Sequence, residues 1–132
     1  MKVTAIRVNK KEQSSLIAKD GRIVGETEKK QDRITLLDAN IRTAIEQGQW
    51  DRGLCVRRFR ENLTVEGLPA LHQGDRITAG TIAMAVDAVG KTCFPACAYQ
   101  QEHTACPLAE AAVFAYICTD GCVHTGESIR IG

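Results

Sequence analysis

Apolar and polar residues alternate through VTAIRV (Val3–Val8), the period of a strand with one face buried. SLIAKDGRIVG (Ser15–Gly25) places Asp20-Gly21 between two short apolar segments and predicts a hairpin turn, because Gly accepts the positive φ such turns need. Glu26–Arg33 is charged and has no apolar anchor, so it reads as loop. ITLLD (Ile34–Asp38) predicts a short strand. NIRTAIEQG (Asn40–Gly48) predicts a two-turn helix, with Asn40 as its cap, Ile41, Ala44 and Ile45 on one side, and Gly48 at its end. ENLTVEGLPALHQGDRITAG (Glu61–Gly80) is rich in turns, with breaks at Gly74-Asp75 and Gly80. IAMAVDAV (Ile82–Val89) reads as a strand with Ile82, Met84, Val86 and Ala88 on one face. AAVFAYICTDG predicts a strand that ends at Asp120-Gly121, and CVHTGESIRI offers two very short strands around Thr125-Gly126.

Many short strands with one clear helix favour a mainly β fold, a closed or partly closed barrel with one or two short helices. A parallel α/β sheet is disfavoured, since only one helix of crossover size is present. No linker, repeat or low-complexity tract divides the chain, so residues 1–132 are expected to form one domain. At this length folding hides about two thirds of the chain's surface, enough for a core without staples.

The 17 Lys and Arg residues nearly balance the 16 Asp and Glu residues. That balance gives no reason to expect nucleic acid or an anionic membrane as partner. No run reaches the roughly 18 apolar residues of a membrane span, and MKVTAIRVNKK lacks the apolar stretch of a signal peptide. A cytoplasmic, reducing location is therefore expected, and the six cysteines are not expected to form a disulfide framework.

Three of those cysteines, with His103, crowd into GKTCFPACAYQQEHTACPL (Gly90–Leu108). Cys93 follows Gly90-Lys91-Thr92 at the end of a predicted strand, where Lys91 favours the thiolate. A thiolate can attack a sulfane sulfur donor and keep the terminal sulfur as a persulfide. Cys97 lies four residues on and can resolve such a persulfide, releasing sulfide and leaving a disulfide. Alternatively, Cys93 and Cys97 have the opening spacing of structural zinc, and Cys106 with His103 can complete four ligands. Iron is the weaker metal alternative, since ferredoxin spacings are absent. Ordinary burial of the thiols is the third reading. Cys118, in the apolar run AYIC, reads as a core filler, while Cys122 beside its turn can face either way. Cys55 is expected to pack in or beside a strand.

Arg57, Arg58 and Arg60 flank Phe59 and can grip an anion, Arg58 and Arg60 sharing one face of a strand. Asn62 either contacts a ligand or bridges backbone groups. His72 and His124 are isolated in sequence, and no paired histidines, nucleophile elbow or phosphate-cradling glycine motif is present.

RFRENLTVEGL, the GDRI turn, GKTCFPACAYQ, Cys106-Pro107-Leu108 and the closing Gly121–Ile129 pattern together resemble the MOSC family, named for the C-terminal domain of molybdenum cofactor sulfurases. The likeness runs from about Ile34 to Ile131 and is strongest to its small single-domain bacterial branch. The chain departs from the family's Gly-x-x-Gly-Asp-x-His stretch, reading GETEKKQDRITLL there. The resemblance implies a β-barrel-like fold and a role in molybdenum cofactor (molybdopterin) handling or sulfur transfer, with molybdenum binding and catalytic activity among the expected properties. It assigns the reactive thiol to Cys93, with Cys97 as second thiol. Arg57, Arg58, Arg60, Asn62 and Lys91 are the expected cofactor-binding residues, and Cys93, Cys97 and Cys106 the expected metal ligands. Pyridoxal phosphate is not expected on this chain, because nothing resembles a desulfurase domain. A pyridoxal-phosphate-dependent cysteine desulfurase and a molybdoenzyme are the expected partners. A zinc- or iron-binding protein without turnover, and a purely structural or interaction domain, are the alternatives.

Overall fold

A computed structural model describes residues 1–27, 31–48, 59–90 and 111–132. The strands are β1 (Lys2–Val8), β2 (Lys11–Gln13), β3 (Ser15–Lys19), β4 (Arg22–Ile23), β5 (Arg33–Asp38), β6 (Leu63–Glu66), β7 (Arg76–Ala79), β8 (Ile82–Val89), β9 (Val113–Thr119), β10 (Gly121–His124) and β11 (Ile129–Ile131). Helix α1 (Ala39–Glu46) follows β5 directly. Its cap is Asp38 and not the expected Asn40. The Asp38 carboxylate accepts from the Asn40 amide at 3.0 Å and, through its other oxygen, from the Leu68 amide at 3.0 Å.

Eight strands form one sheet in the order β11-β7-β8-β9-β5-β6-β1-β2, and β10-β3-β4 form a second. Every pair is antiparallel except β5–β6, whose crossover contains α1. The expected barrel is not formed, because the large sheet keeps two edges, β11 and β2. The start of β1 meets the segment before β11 through one isolated bridge, Lys2–Ser128, and not through a ladder. Two local causes hold the sheet open. The Asn9-Lys10 turn, with φ of 56° and 64°, folds β2 back along β1 and occupies the free side of its C-terminal half. At the far edge, β11 offers only three residues, all paired with β7.

A shared core lies between the sheets. The large sheet contributes Val3, Ile6, Ile34, Leu36, Leu63, Ile82, Met84 and Val86, among others; the small sheet contributes Leu16, Ala18, Ile23 and Val123. The expected face of β8 is buried from Ile82 to Val86, but a register shift between Val86 and Ala88 leaves Ala88 half-buried. β5 is buried on both faces. Ile34 and Leu36 enter the core, while Thr35 and Leu37 point the other way.

The turn residues do what their chemistry allows. Asp20-Gly21 joins β3 to β4 with both φ values positive, 55° and 73°. The two Asp120 carboxylate oxygens accept from the amides of that turn at 2.7 and 2.8 Å. The chain then crosses into the small sheet at Gly121, so β9 and β10 belong to different sheets. Gly80, at φ 56°, lies against this crossing: a Cβ there would come within 2.3 Å of the Cys122 carbonyl oxygen.

Candidate functional site

Glu61-Asn62 lead directly into β6, and both side chains turn into the protein. Glu61 is fully buried, at 0% exposure. Arg42, the one buried residue of α1, donates to both Glu61 carboxylate oxygens, its Nε lying 3.1 Å from each, and its Nη2 adds a close contact to Oε1. The same Arg42 Nη2 reaches the Phe59 carbonyl at 3.0 Å. Arg7 on β1 stands 3.6 Å from Glu61 and donates to the Thr64 hydroxyl at 2.8 Å; that hydroxyl donates to Glu61 at 2.7 Å. Burial alone raises the Glu61 carboxyl, but the hydrogen bonds and charge of Arg42, with the Thr64 hydroxyl and its own backbone amide, outweigh that and hold it below its ordinary range.

Asn62 ties three strands and the Glu26 segment together. Its carbonyl oxygen accepts from the Thr35 amide at 3.0 Å and the Thr35 hydroxyl at 3.1 Å. Its side-chain amide donates to the Arg7 carbonyl at 2.9 Å and to Glu26 at 3.2 Å. Glu26 is itself buried and accepts from the Asn9 amide at 3.2 Å. Among the described residues, no buried side-chain nitrogen or oxygen lacks a partner.

Of the expected site residues, Arg60 and Asn62 are described. Arg60 is half-buried, and its Nη1 donates to the Phe59 carbonyl at 2.8 Å. Asn62 is 1% exposed, with its amide committed to the contacts above. Arg57, Arg58, Lys91, Cys93, Cys97 and Cys106, together with Cys55 and His103, lie outside the described residues. The ends of the thiol-bearing connection are described. The Gly90 amide donates to the Ala112 carbonyl at 2.7 Å, so residues 91–110 leave and return at one point. Phe114, two residues past that point, meets Phe59 edge to face, ring centres 6.5 Å apart. The Phe59–Asn62 stretch and both ends of the connection therefore share one end of the sheet.

Sequence reasoning missed Arg42, Arg7 and Glu26. Arg42 looks like a solvated helix residue, and Glu26 stands in a charged stretch without an apolar anchor. Cys118, expected in the core, is exposed on β9. Molybdenum binding and catalytic activity are not borne out. Among the described residues, no three His, Cys, Asp or Glu side chains gather to hold a metal. Arg7 and Arg42 are spent on Glu61, so these residues do not by themselves fit a molybdenum or pterin site.

The model of the MOSC domain matches residues 33–131. The chain belongs to the MOSC domain family. Membership carries that family's general association with molybdenum cofactor and sulfur chemistry. Two solved structures are similar to this chain in fold. One, described as a hypothetical protein, superposes with a TM-score of 0.67 at 15% identity, covering 99% of this chain and 68% of its own. The other, YiiM from Escherichia coli, gives 0.66 at 13% identity, covering 100% of this chain and 70% of its own. At these identities the likeness speaks for the fold alone. No curated protein matches the chain. Among the described residues, no helix is long and apolar enough to cross a membrane.

Proposed function

We propose that this MOSC domain is a sulfur carrier in molybdoenzyme maturation, holding sulfane sulfur on Cys93. The observation that carries the reading is the hydrogen bond between Gly90 and Ala112. It gathers both ends of the thiol-bearing connection beside Phe59–Asn62, a stretch held rigid from below by Arg42 and Asn62. A carrier needs its thiol on a stable scaffold, and the hydrogen-bonded ends of the stretch that carries Cys93 support that reading.

In loading, the Cys93 thiolate attacks the outer sulfur of a donor persulfide. The donor's S–S bond breaks, a new S–S bond forms on Cys93, and the donor leaves as a thiolate, with no net oxidation. A pyridoxal-phosphate-dependent cysteine desulfurase is the donor class that makes such a persulfide. For release, Cys97 attacks the inner sulfur. Sulfide leaves, and the resulting Cys93–Cys97 disulfide is reset by a dithiol reductant. Arg57, Arg58, Arg60 and Lys91 steer the anionic acceptor on the molybdoenzyme side.

Intact mass after incubation with a persulfide donor tests the reading. The expected result is a gain of one sulfur, about 32 Da, removed by dithiothreitol, mapped to Cys93 and lost in Cys93→Ser. Sulfur that fails to load, or loads equally in Cys93→Ser, overturns it. A metal-sized addition that survives reductant but leaves on unfolding also overturns it, in favour of a zinc or iron binding site.

A further inference from the structure

Cys122 and His124 stand two residues apart on β10, so their side chains share the sheet's outer face while Val123 between them enters the core. The Cys122 sulfur lies 3.6 Å from His124 Nε2. In the tautomer with its proton on Nδ1, that nitrogen accepts the thiol proton. The sulfur is carried on a fixed backbone. Cys122 donates its amide to the Thr81 hydroxyl at 2.9 Å and accepts from the Thr81 amide at 3.0 Å, with Gly80 packed against it. A positioned thiol with a base in reach is the arrangement that activates sulfur nucleophiles.

The neighbouring surface offers room for the rest of a molecule. Ile17, directly opposite Cys122 on β3, is 47% exposed. Beyond it a groove of about 350 Å³ runs between Ile17, Val24 and Gly25 on one side and Asn9, Lys11 and Gln13 on the other. Lys19 and Arg22, a register pair farther along the outer face, add two positive charges to that of Lys11, against the one Asp120 carboxylate that accepts from the turn between them.

We infer that Cys122 and His124 form a second thiol site, one that takes carboxylate-bearing disulfides by thiol–disulfide exchange. The Cys122 sulfur attacks one sulfur of the disulfide while His124 takes the thiol proton. The old S–S bond breaks, and the released thiolate recovers that proton. The products are a mixed disulfide on Cys122 and one free thiol, with the disulfide itself as oxidant. Neither residue lies in 91–110, so this site stands or falls independently of Cys93.

The test exposes the full chain to oxidised glutathione and follows each cysteine by peptide mass mapping. Cys118 is the internal reference, being exposed on β9 with its sulfur donating to the Tyr116 carbonyl at 3.9 Å. Cys122 is expected to form the mixed disulfide about tenfold faster than Cys118, short of the hundredfold or more of a base enclosed in a site. His124→Gln should bring the two rates to within about twofold while leaving Cys118 unchanged. An uncharged disulfide such as 2-hydroxyethyl disulfide should show a smaller preference for Cys122. Equal rates at the two thiols, or a Cys122 rate indifferent to His124→Gln, overturn the site. An uncharged disulfide reacting with the same preference overturns the assignment of a carboxylate-bearing partner.

Discussion

The Glu61 network and the Cys122–His124 pair both bring ionisable side chains together, but at opposite extremes of solvation. Around Glu61 water is excluded, and each charge has several partners from different strands and from α1. Around Cys122 the imidazole is exposed and lies 3.6 Å from a sulfur that is itself only half-buried. A buried charge that loses a partner leaves the others in a medium that cannot solvate them. An exposed pair that is split merely returns to water. The first arrangement therefore holds the chain's shape and has little left to offer a ligand, whereas the second contributes little to shape and remains available for reaction.

The largest effect is expected from Glu61→Gln. It leaves Arg42 buried without its counter-charge and Arg7 with only the exposed Glu12, 3.8 Å away, and should cost about 3–5 kcal/mol in urea unfolding. A loss below about 1 kcal/mol would mean that the network relaxes into water and the contrast is overstated. The same residue predicts a pH signature. Its folded carboxyl titrates below the ordinary value of 4.5, so its contribution is complete above about that pH and disappears as pH falls through the folded value. The wild-type advantage over Glu61→Gln should accordingly be constant from neutral pH down to about 5 and shrink in more acidic solution. Asn62→Leu comes next. It strands the Thr35 amide and the Arg7 carbonyl and should cost about 2–3 kcal/mol in the same unfolding measurement, since each unpaired buried group costs about 1–3 kcal/mol.

Gly80→Ala sharpens the other side of the comparison. Its Cβ collides with the Cys122 carbonyl, and the overpacking should cost about 1–3 kcal/mol. Because it moves the backbone that carries the thiol, it should also slow glutathionylation of Cys122 without slowing that of Cys118. The smallest effect is expected from Asp120→Ala, which removes two exposed acceptors from the Asp20-Gly21 turn. It should lower the melting temperature by about 4 °C or less.

Periodicity and turn chemistry made most strands legible. Val3–Val8, Ile34–Asp38, Ile82–Val89 and the Asp20-Gly21 hairpin all follow from local rules. Closure did not, because it depends on which edges meet across more than 120 residues of sequence, and there Met1–Val3 meets Gly126–Ile129 through one bridge and a few backbone hydrogen bonds, short of a ladder. The short strand β2 was invisible for a different reason. Lys11–Gln13 is exposed throughout, so no alternation marks it, and its turn uses Asn9-Lys10 where a Gly is the usual sign. In the candidate site, Glu61-Asn62 was noticeable as a polar pair beside Leu63. Its partners Arg7, Arg42 and Glu26 were not, since a charged side chain on a strand, helix or loop reads as solvated until the fold brings a counter-charge to it. Cys122 and His124 fall on a predicted short strand, but that their side chains meet, at 3.6 Å, appears only in the folded geometry.

The hydrogen bond between Gly90 and Ala112 has an evolutionary corollary. The registers of β8 and β9 are set by their own pairing up to that bond. Substitutions that keep the β8–β9 ladder therefore keep Gly90 and Ala112 together, and the point at which the cysteine-rich stretch departs from the sheet is inherited with the ladder.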